Sequence, residues 1–244
     1  MTPTTEKNPN KAMNQPITTL LFDFDGTLAD TTRTILKAMS LTITELGLPL
    51  PSETQLKSGI GLPLRACIQK AGNVPEELAD RAAERYHYFF KKIAFGTEQV
   101  ETPEKVSQTN SEGAAVLYDG VKETLEWLHG QGYVLGIATS RRWETLELFL
   151  RHFGILELFG VIATVEDVAH PKPAPDTVLY DLEKLGRRPE ETLVVGDATY
   201  DILMGRSAGC RTCAVSYGNQ GRDLLQTASP DWIIDSMREL PALL

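Results

Sequence analysis

Short apolar runs and amphipathic stripes alternate along most of this chain, and the places where the alternation breaks are informative. The first strong signal is Ile17-Thr18-Thr19-Leu20-Leu21-Phe22-Asp23, rich in strand formers and halted at Gly26. Such a run suits a strand buried on both faces. After Asp30 the period changes. Ile35, Met39, Ile43 and Leu46 recur at steps of four, four and three, which puts one apolar stripe on a helix. A second helix is predicted from Leu78, Ala82, Tyr86, Phe90 and Ile93, after a turn at Pro75-Glu76-Glu77. No convincing strand falls between residues 37 and 95, so this block is expected to be wholly helical. Residues 97–113 turn polar, with Glu98, Glu101, Glu104 and Glu112 and few apolar anchors, the composition of a solvated linker.

From Tyr118 onward strand and helix alternate regularly. A stripe of Val121, Leu125 and Leu128 leads to a strand at 133–139, and Leu146, Phe149, Leu150 and Phe153 mark the next helix. A short strand at 161–164, a helix carrying Val178, Leu182 and Leu185, and a strand at 192–196 follow. Residues 202–208 read as helical, and 212–215 and 232–234 as strands. This alternation implies crossover units and a parallel sheet. The 17–23 run belongs to the same sheet, which makes the helical block an insertion after the first strand.

Composition narrows the class. A chain of 244 residues with 42% hydrophobic content can bury a core without disulfides or metals. The net charge of −9 lacks the basic footprint that nucleic-acid binding needs. No run of 18 apolar residues exists, so no helical membrane span is expected, and residues 1–15 are polar, a mobile tail rather than a secretory signal. Three cysteines, an odd number, argue for a reducing compartment and a cytoplasmic location. Cys210 and Cys213 have C-x-x-C spacing, but no second pair accompanies them and Cys67 is remote, so they read as small buried residues. His87, His129, His152 and His170 are scattered; His170, just before Lys172, is within reach of a substrate but reads first as a surface residue.

The candidate chemistry lies at strand ends, where open parallel sheets bind ligands. The first strand ends in Asp23-Phe24-Asp25-Gly26-Thr27, the strand at 133–139 ends in Thr139-Ser140, and that at 192–196 runs into Asp197, with Asp201 four residues on. Lys172 sits in a Pro-Lys-Pro-Ala-Pro loop. Asp23 and Asp25 leave the same face of an extended segment. Converging carboxylates repel one another unless a hard divalent cation joins them, and oxygen-only ligands favour magnesium over zinc. Each piece has an ordinary structural explanation, a helix cap for Thr139 or Ser140 and a surface position for Lys172. Their combination in order is hard to obtain by accident.

Leu21-Phe22-Asp23-Phe24-Asp25-Gly26-Thr27-Leu28 resembles the first motif of the haloacid dehalogenase superfamily. Thr139, Lys172 and Gly196-Asp197-Ala198-Thr199-Tyr200-Asp201 resemble its other three motifs, and Gly61-Leu62-Pro63-Leu64-Arg65 resembles the cap of its phosphoglycolate-phosphatase-like branch. The resemblance implies an α/β fold, a Rossmann-like parallel sheet core with an inserted all-helical cap domain. The core would comprise residues 16–30 and 115–244, and the cap 31–114. It further implies that Asp23 is the nucleophile and Asp25 the general acid and base. Mg2+ would be held by Asp23, Asp197 and the backbone carbonyl of Asp25, with Asp201 supporting the ion or Lys172 from behind. Thr139, Ser140 and Lys172 would hold the phosphoryl oxygens. Arg65 opens a cap helix, where a cation is unfavourable for the helix dipole, and an anionic group on the substrate would explain it. The implied function is hydrolysis of a small phosphorylated metabolite, phosphoglycolate being the first expectation. A mutase of the β-phosphoglucomutase type and an inactive binding module are the alternatives.

Overall fold

The structure, a computed structural model, describes residues 15–96 and 115–244. The polar stretch at 97–113 and all but the last residue of the N-terminal segment lie outside the described residues.

Strand β1 (Thr19–Phe22) is followed by a short β2 (Ala29–Asp30). Four helices come next: α1 (Thr32–Glu45), α2 (Glu53–Lys57), α3 (Leu64–Lys70) and α4 (Ala79–Phe95). The chain then re-enters through β3 (Val116–Leu117), which pairs antiparallel with β2. The helical insertion therefore leaves and returns through one small two-stranded gate. That gate was not predicted, because strands of two residues carry no readable period.

Beyond it run α5 (Val121–Gly130), β4 (Val134–Ala138), α6 (Trp143–Phe153), β5 (Val161–Ala163), α7 (Asp176–Leu185), β6 (Thr192–Gly196), α8 (Thr199–Ser207), β7 (Arg211–Val215), α9 (Arg222–Thr227) and β8 (Trp232–Ile234). The main sheet has the order β5-β4-β1-β6-β7-β8, with every pairing parallel. This is the parallel sheet expected from the strand–helix alternation, and the Rossmann-like α/β core that the family resemblance implies. Leu20, Leu21 and Phe22 are fully buried, as a strand covered on both faces requires. Gly136 keeps the sheet's helix side close: a Cβ there would lie 2.6 Å from Leu21 Cδ2 and 2.7 Å from Val161 Cγ1.

The sheet order positions the site. From β1 the chain builds outward through β4 and β5, then returns to β6 on the other side. The C-terminal ends of β4, β1 and β6 are thereby neighbours at a topological switch point, the usual ligand crevice of such sheets. An aromatic cluster fastens the insertion above it. Phe149 of α6 stacks on Phe24 at 5.8 Å and meets Phe90 and Phe95 of α4 at 6.3 and 5.0 Å between ring centroids. Each such pair contributes about 0.5–1.5 kcal/mol beyond area burial. Among the described residues no helix is long and apolar enough to cross a membrane.

Candidate active site

Asp23 follows the last residue of β1 and keeps one more ladder bond, its N–H donating to Val195 O at 2.9 Å. The chain then turns tightly, Leu28 and Ala29 both donating to Phe24 O at 3.0 Å. Gly26 makes the turn possible with a φ of +92°, and a Cβ there would lie 2.2 Å from Asp197 Oδ2. The turn backbone can therefore press against the carboxylate at the end of β6.

Asp23, Asp197 and Asp201 converge, one carboxylate oxygen of each lying within 4.8 Å of the others. Lys172 reaches into this group and donates to Asp23 Oδ1 at 2.5 Å and to Asp201 Oδ1 at 2.7 Å, all three side chains being withdrawn from solvent. Asp201 is fully engaged, because its Oδ2 also accepts from the Ala198 N–H at 3.0 Å. Asp197 accepts from Thr27 Oγ1 at 3.2 Å, from the Asn219 N–H at 2.6 Å and from Asn219 Nδ2 at 2.9 Å.

Burial raises the pKa of Asp23; the nearby charges of Asp201 and Asp25 add to the rise, and Lys172 pulls it back. Asp197 is raised for the same first reason, then by Asp201 and Asp23. Burial acts to deprotonate Lys172, but Asp201 and Asp23 outweigh it and hold the amine above its usual range. One ammonium cannot balance three buried carboxylates. Asp23 Oδ2 is moreover buried with no hydrogen-bond partner, an uncompensated acceptor in a dry pocket. A hard divalent cation fits this donor set and removes both anomalies.

Asp25 stands apart from that cluster. Its Oδ1 accepts from Thr31 Oγ1 at 2.5 Å and from an Nη of Arg141, while Oδ2 accepts from Arg141 Nε at 3.0 Å. Its backbone carbonyl is linked to the acidic group through Asn219, whose Nδ2 approaches it at 3.4 Å while also bonding Asp197. The hydroxyl oxygen of Thr139 accepts from the Arg141 N–H at 3.2 Å.

Asp23, Asp25, Thr139, Ser140 and Arg65 all line one cavity beneath the insertion. Ser140 and Arg65, expected to meet substrate, are instead engaged by other parts of the protein. Ser140 Oγ donates to Gly61 O at 2.9 Å and so ties β4's end to the insertion. The Arg65 guanidinium binds Glu76 and Asp80, two carboxylates of its own helical block, with 44% of its side chain exposed. The anion that explains a cation at this helix start is thus intramolecular. His170 pairs with Asp176 and is not among the cavity's lining residues, whereas His87 is. Cys67, Cys210 and Cys213 are free, buried thiols, each pushed up to about 12 by burial.

Arg141 and Asn219 were missed by the sequence reading, and the strand-end rule could have found both. Arg141 directly follows the Thr139-Ser140 pair, and Asn219 lies in the loop after β7.

Fold and site together define a phosphoryl-group hydrolase with an acidic centre at the strand ends. The family model described as haloacid dehalogenase-like hydrolase matches residues 20–215, and the chain belongs to that family, as its four motifs led us to expect. It is 30% identical over 223 residues to a probable phosphatase, IndB, of Dickeya dadantii, covering 91% of this chain and 90% of that protein. It is 33% identical over 227 residues to the pyrophosphatase PpaX of Halalkalibacterium halodurans, covering 92% and 95%. A crystal structure described as a predicted phosphoglycolate phosphatase of Haemophilus somnus superposes with a TM-score of 0.79 at 25% identity, covering 94% of this chain and 99% of that one. The chain is a phosphatase of this family.

Proposed function

We propose that this phosphatase hydrolyses a small phosphomonoester through an aspartyl-phosphate on Asp23, with Mg2+ as its divalent ion. The observation that carries the reading is Asp23 itself: a buried carboxylate with one oxygen on Lys172 and the other without a partner, beside Asp197. Asp23, Asp197 and the carbonyl of Asp25 would hold the ion, and the ion supplies charge neutralisation for the phosphoryl oxygens.

A carboxylate oxygen of Asp23 attacks phosphorus while the ester oxygen departs with a proton from Asp25, which must carry that proton into the complex against its pair with Arg141. Asp25 then takes a proton from water, whose oxygen attacks phosphorus and frees phosphate and Asp23. Lys172 keeps Asp23 oriented and offsets phosphoryl charge, and the Thr139 hydroxyl offers a donor at the same rim. The described part of the insertion, residues 31–96, would act as a cap over the strand ends, held through Ser140–Gly61 and the Lys91–Glu144 pair at 2.6 Å, and would exclude water from the intermediate.

A mutase needs a second phosphate site in the cap, and every arginine lining the cavity is already bound to a carboxylate. Among the described residues, the carboxylate of phosphoglycolate would meet each of these arginines already paired and would have to compete for it. Hydrolysis is therefore the reading supported, with the alcohol still to be named. Phosphate release from a panel of monoesters, with and without Mg2+, tests it. Release must require the metal and must vanish in Asp23→Asn; an isomer in place of free phosphate would mean a mutase.

A further inference from the structure

We propose that the cavity under the insertion seats an apolar leaving alcohol, so that the substrate is the phosphate ester of a hydrophobic, ring-sized alcohol rather than a doubly anionic metabolite. This rests on the phosphatase reading above and adds the substrate class to it.

The cavity measures about 310 Å³ and opens onto Asp23 and Asp25. Its walls above these carboxylates are Ile35 and Met39 from α1, Ile60 and Leu62 from the turn before α3, and Tyr86 and Phe90 from α4. An engineered apolar cavity of about 150 Å³ binds benzene, so this space accommodates a ring-sized group beside a phosphoryl group. A phosphoryl group placed on Asp23 would direct its ester substituent into these walls.

Charge in the cavity points the same way. Arg65 is held by Glu76 and Asp80, Arg142 by Glu166 and Arg141 by Asp25. A carboxylate or second phosphate on the substrate would have to break the buried Arg141–Asp25 pair, or compete with Glu76, Asp80 or Glu166 for the exposed Arg65 and Arg142. Arg141 is the deepest of them, stacked at 4.8 Å on Phe90 and 5.2 Å on Phe149, with 7% of its side chain exposed. The remaining polar walls are neutral. Burial, then the nearby cations Arg142 and Lys91, pushes His87 down, and burial keeps Tyr86 a phenol. They offer hydrogen bonds to a substituent, not a counter-charge. A pocket with apolar walls and a few neutral polar groups selects by shape and hydrophobic transfer.

The test is kcat/KM with Mg2+ for a series of primary alkyl phosphates whose leaving groups have similar basicity: ethyl, butyl, hexyl and 2-phenylethyl phosphate. Phosphoglycolate and pyrophosphate serve as anionic comparators. Each added methylene should raise kcat/KM about fourfold until the space is full. 2-Phenylethyl phosphate should exceed ethyl phosphate by on the order of 50-fold and should also exceed both anionic comparators. A flat series, or phosphoglycolate or pyrophosphate in the lead, overturns the proposal while leaving the phosphatase reading intact. No phosphate from any ester or from pyrophosphate overturns both. As a second arm, Ala83→Leu adds bulk to the cavity wall and should lower the ratio of 2-phenylethyl to ethyl phosphate turnover by about tenfold. An unchanged ratio in a folded Ala83→Leu protein counts against the cavity as the seat of the alcohol.

Discussion

Arg141 grips Asp25 with two nitrogens, Nε lying 3.0 Å from Oδ2 and an Nη contacting Oδ1, the two side chains being 7% and 14% exposed. The guanidinium is itself boxed in by Phe24, Phe90 and Phe149, whose ring centroids lie 4.8 to 5.6 Å from it. A planar fork held on three rings fixes both the position and the orientation of the carboxylate it binds. The residue proposed as acid and base is thus aimed by one cation shared between core and insertion.

Arg141→Ala should therefore lower kcat for alkyl phosphates by on the order of 100-fold, the scale of positioned acid–base catalysis. Arg141→Lys keeps the charge but loses the fork, and should recover only part of that loss. Aryl phosphates, whose leaving groups need little protonation, should be affected least. Equal losses for aryl and alkyl esters in a folded protein would show that Arg141 serves packing alone.

Asp23→Asn should abolish turnover and weaken the response to metal together. In the parent, Mg2+ should raise the unfolding midpoint, because an ion bound only by the folded state stabilises it by mass action. In Asp23→Asn one of the gathered carboxylates is neutral, so the metal-dependent rise should shrink. Scanning calorimetry at several Mg2+ concentrations checks this independently of activity. An undiminished rise would remove Asp23 from the ion's coordination.

How legible each part was depended on the length scale of its signal. The sheet strands and the long helices announced themselves through runs and stripes, because burial on both faces or on one stripe dictates residue type. Asp23 and Asp197 were legible because motif and strand-end position coincide, and Lys172 because a motif marks its loop. The partners of Arg65 were not, since Glu76 and Asp80 come within reach only once α3 and the start of α4 pack side by side. Nor was the double role of Asn219, which bonds Asp197 at 2.9 Å and accepts from Thr32 Oγ1 at 3.0 Å across more than half the chain. Side-chain pairing between distant segments leaves no local period.

Arg65→Ala follows from the same geometry and should be nearly silent. An exposed arginine bound to two exposed carboxylates contributes little in water and salt. KM for phosphoglycolate and for aryl phosphates should each change by no more than about twofold. A selective rise in KM for the carboxylated ester would show that Arg65 leaves Glu76 and Asp80 to bind substrate.

Asp181 of α7 supplies a prediction about stability alone. Its side chain is fully buried, and neither carboxylate oxygen has a hydrogen-bond partner. Burial, reinforced by the charge of Asp167, pushes its pKa up from 3.8 to about 9. Between these two values the folded protein keeps this proton and the unfolded chain releases it. Stability from this group is then highest at low pH and falls by about 1.4 kcal/mol per pH unit as pH rises through the window. Asp181→Asn cannot titrate and should lack that slope. Urea unfolding of both proteins at pH 5 and pH 8 isolates the term, since every other titrating group is shared. The parent should lose roughly 3–4 kcal/mol more than the variant over that interval, an upper figure set by full protonation at pH 5 to 8. Parallel pH dependences would mean that Asp181 is ionised in the folded state, and its two oxygens would then need a partner that burial alone does not provide.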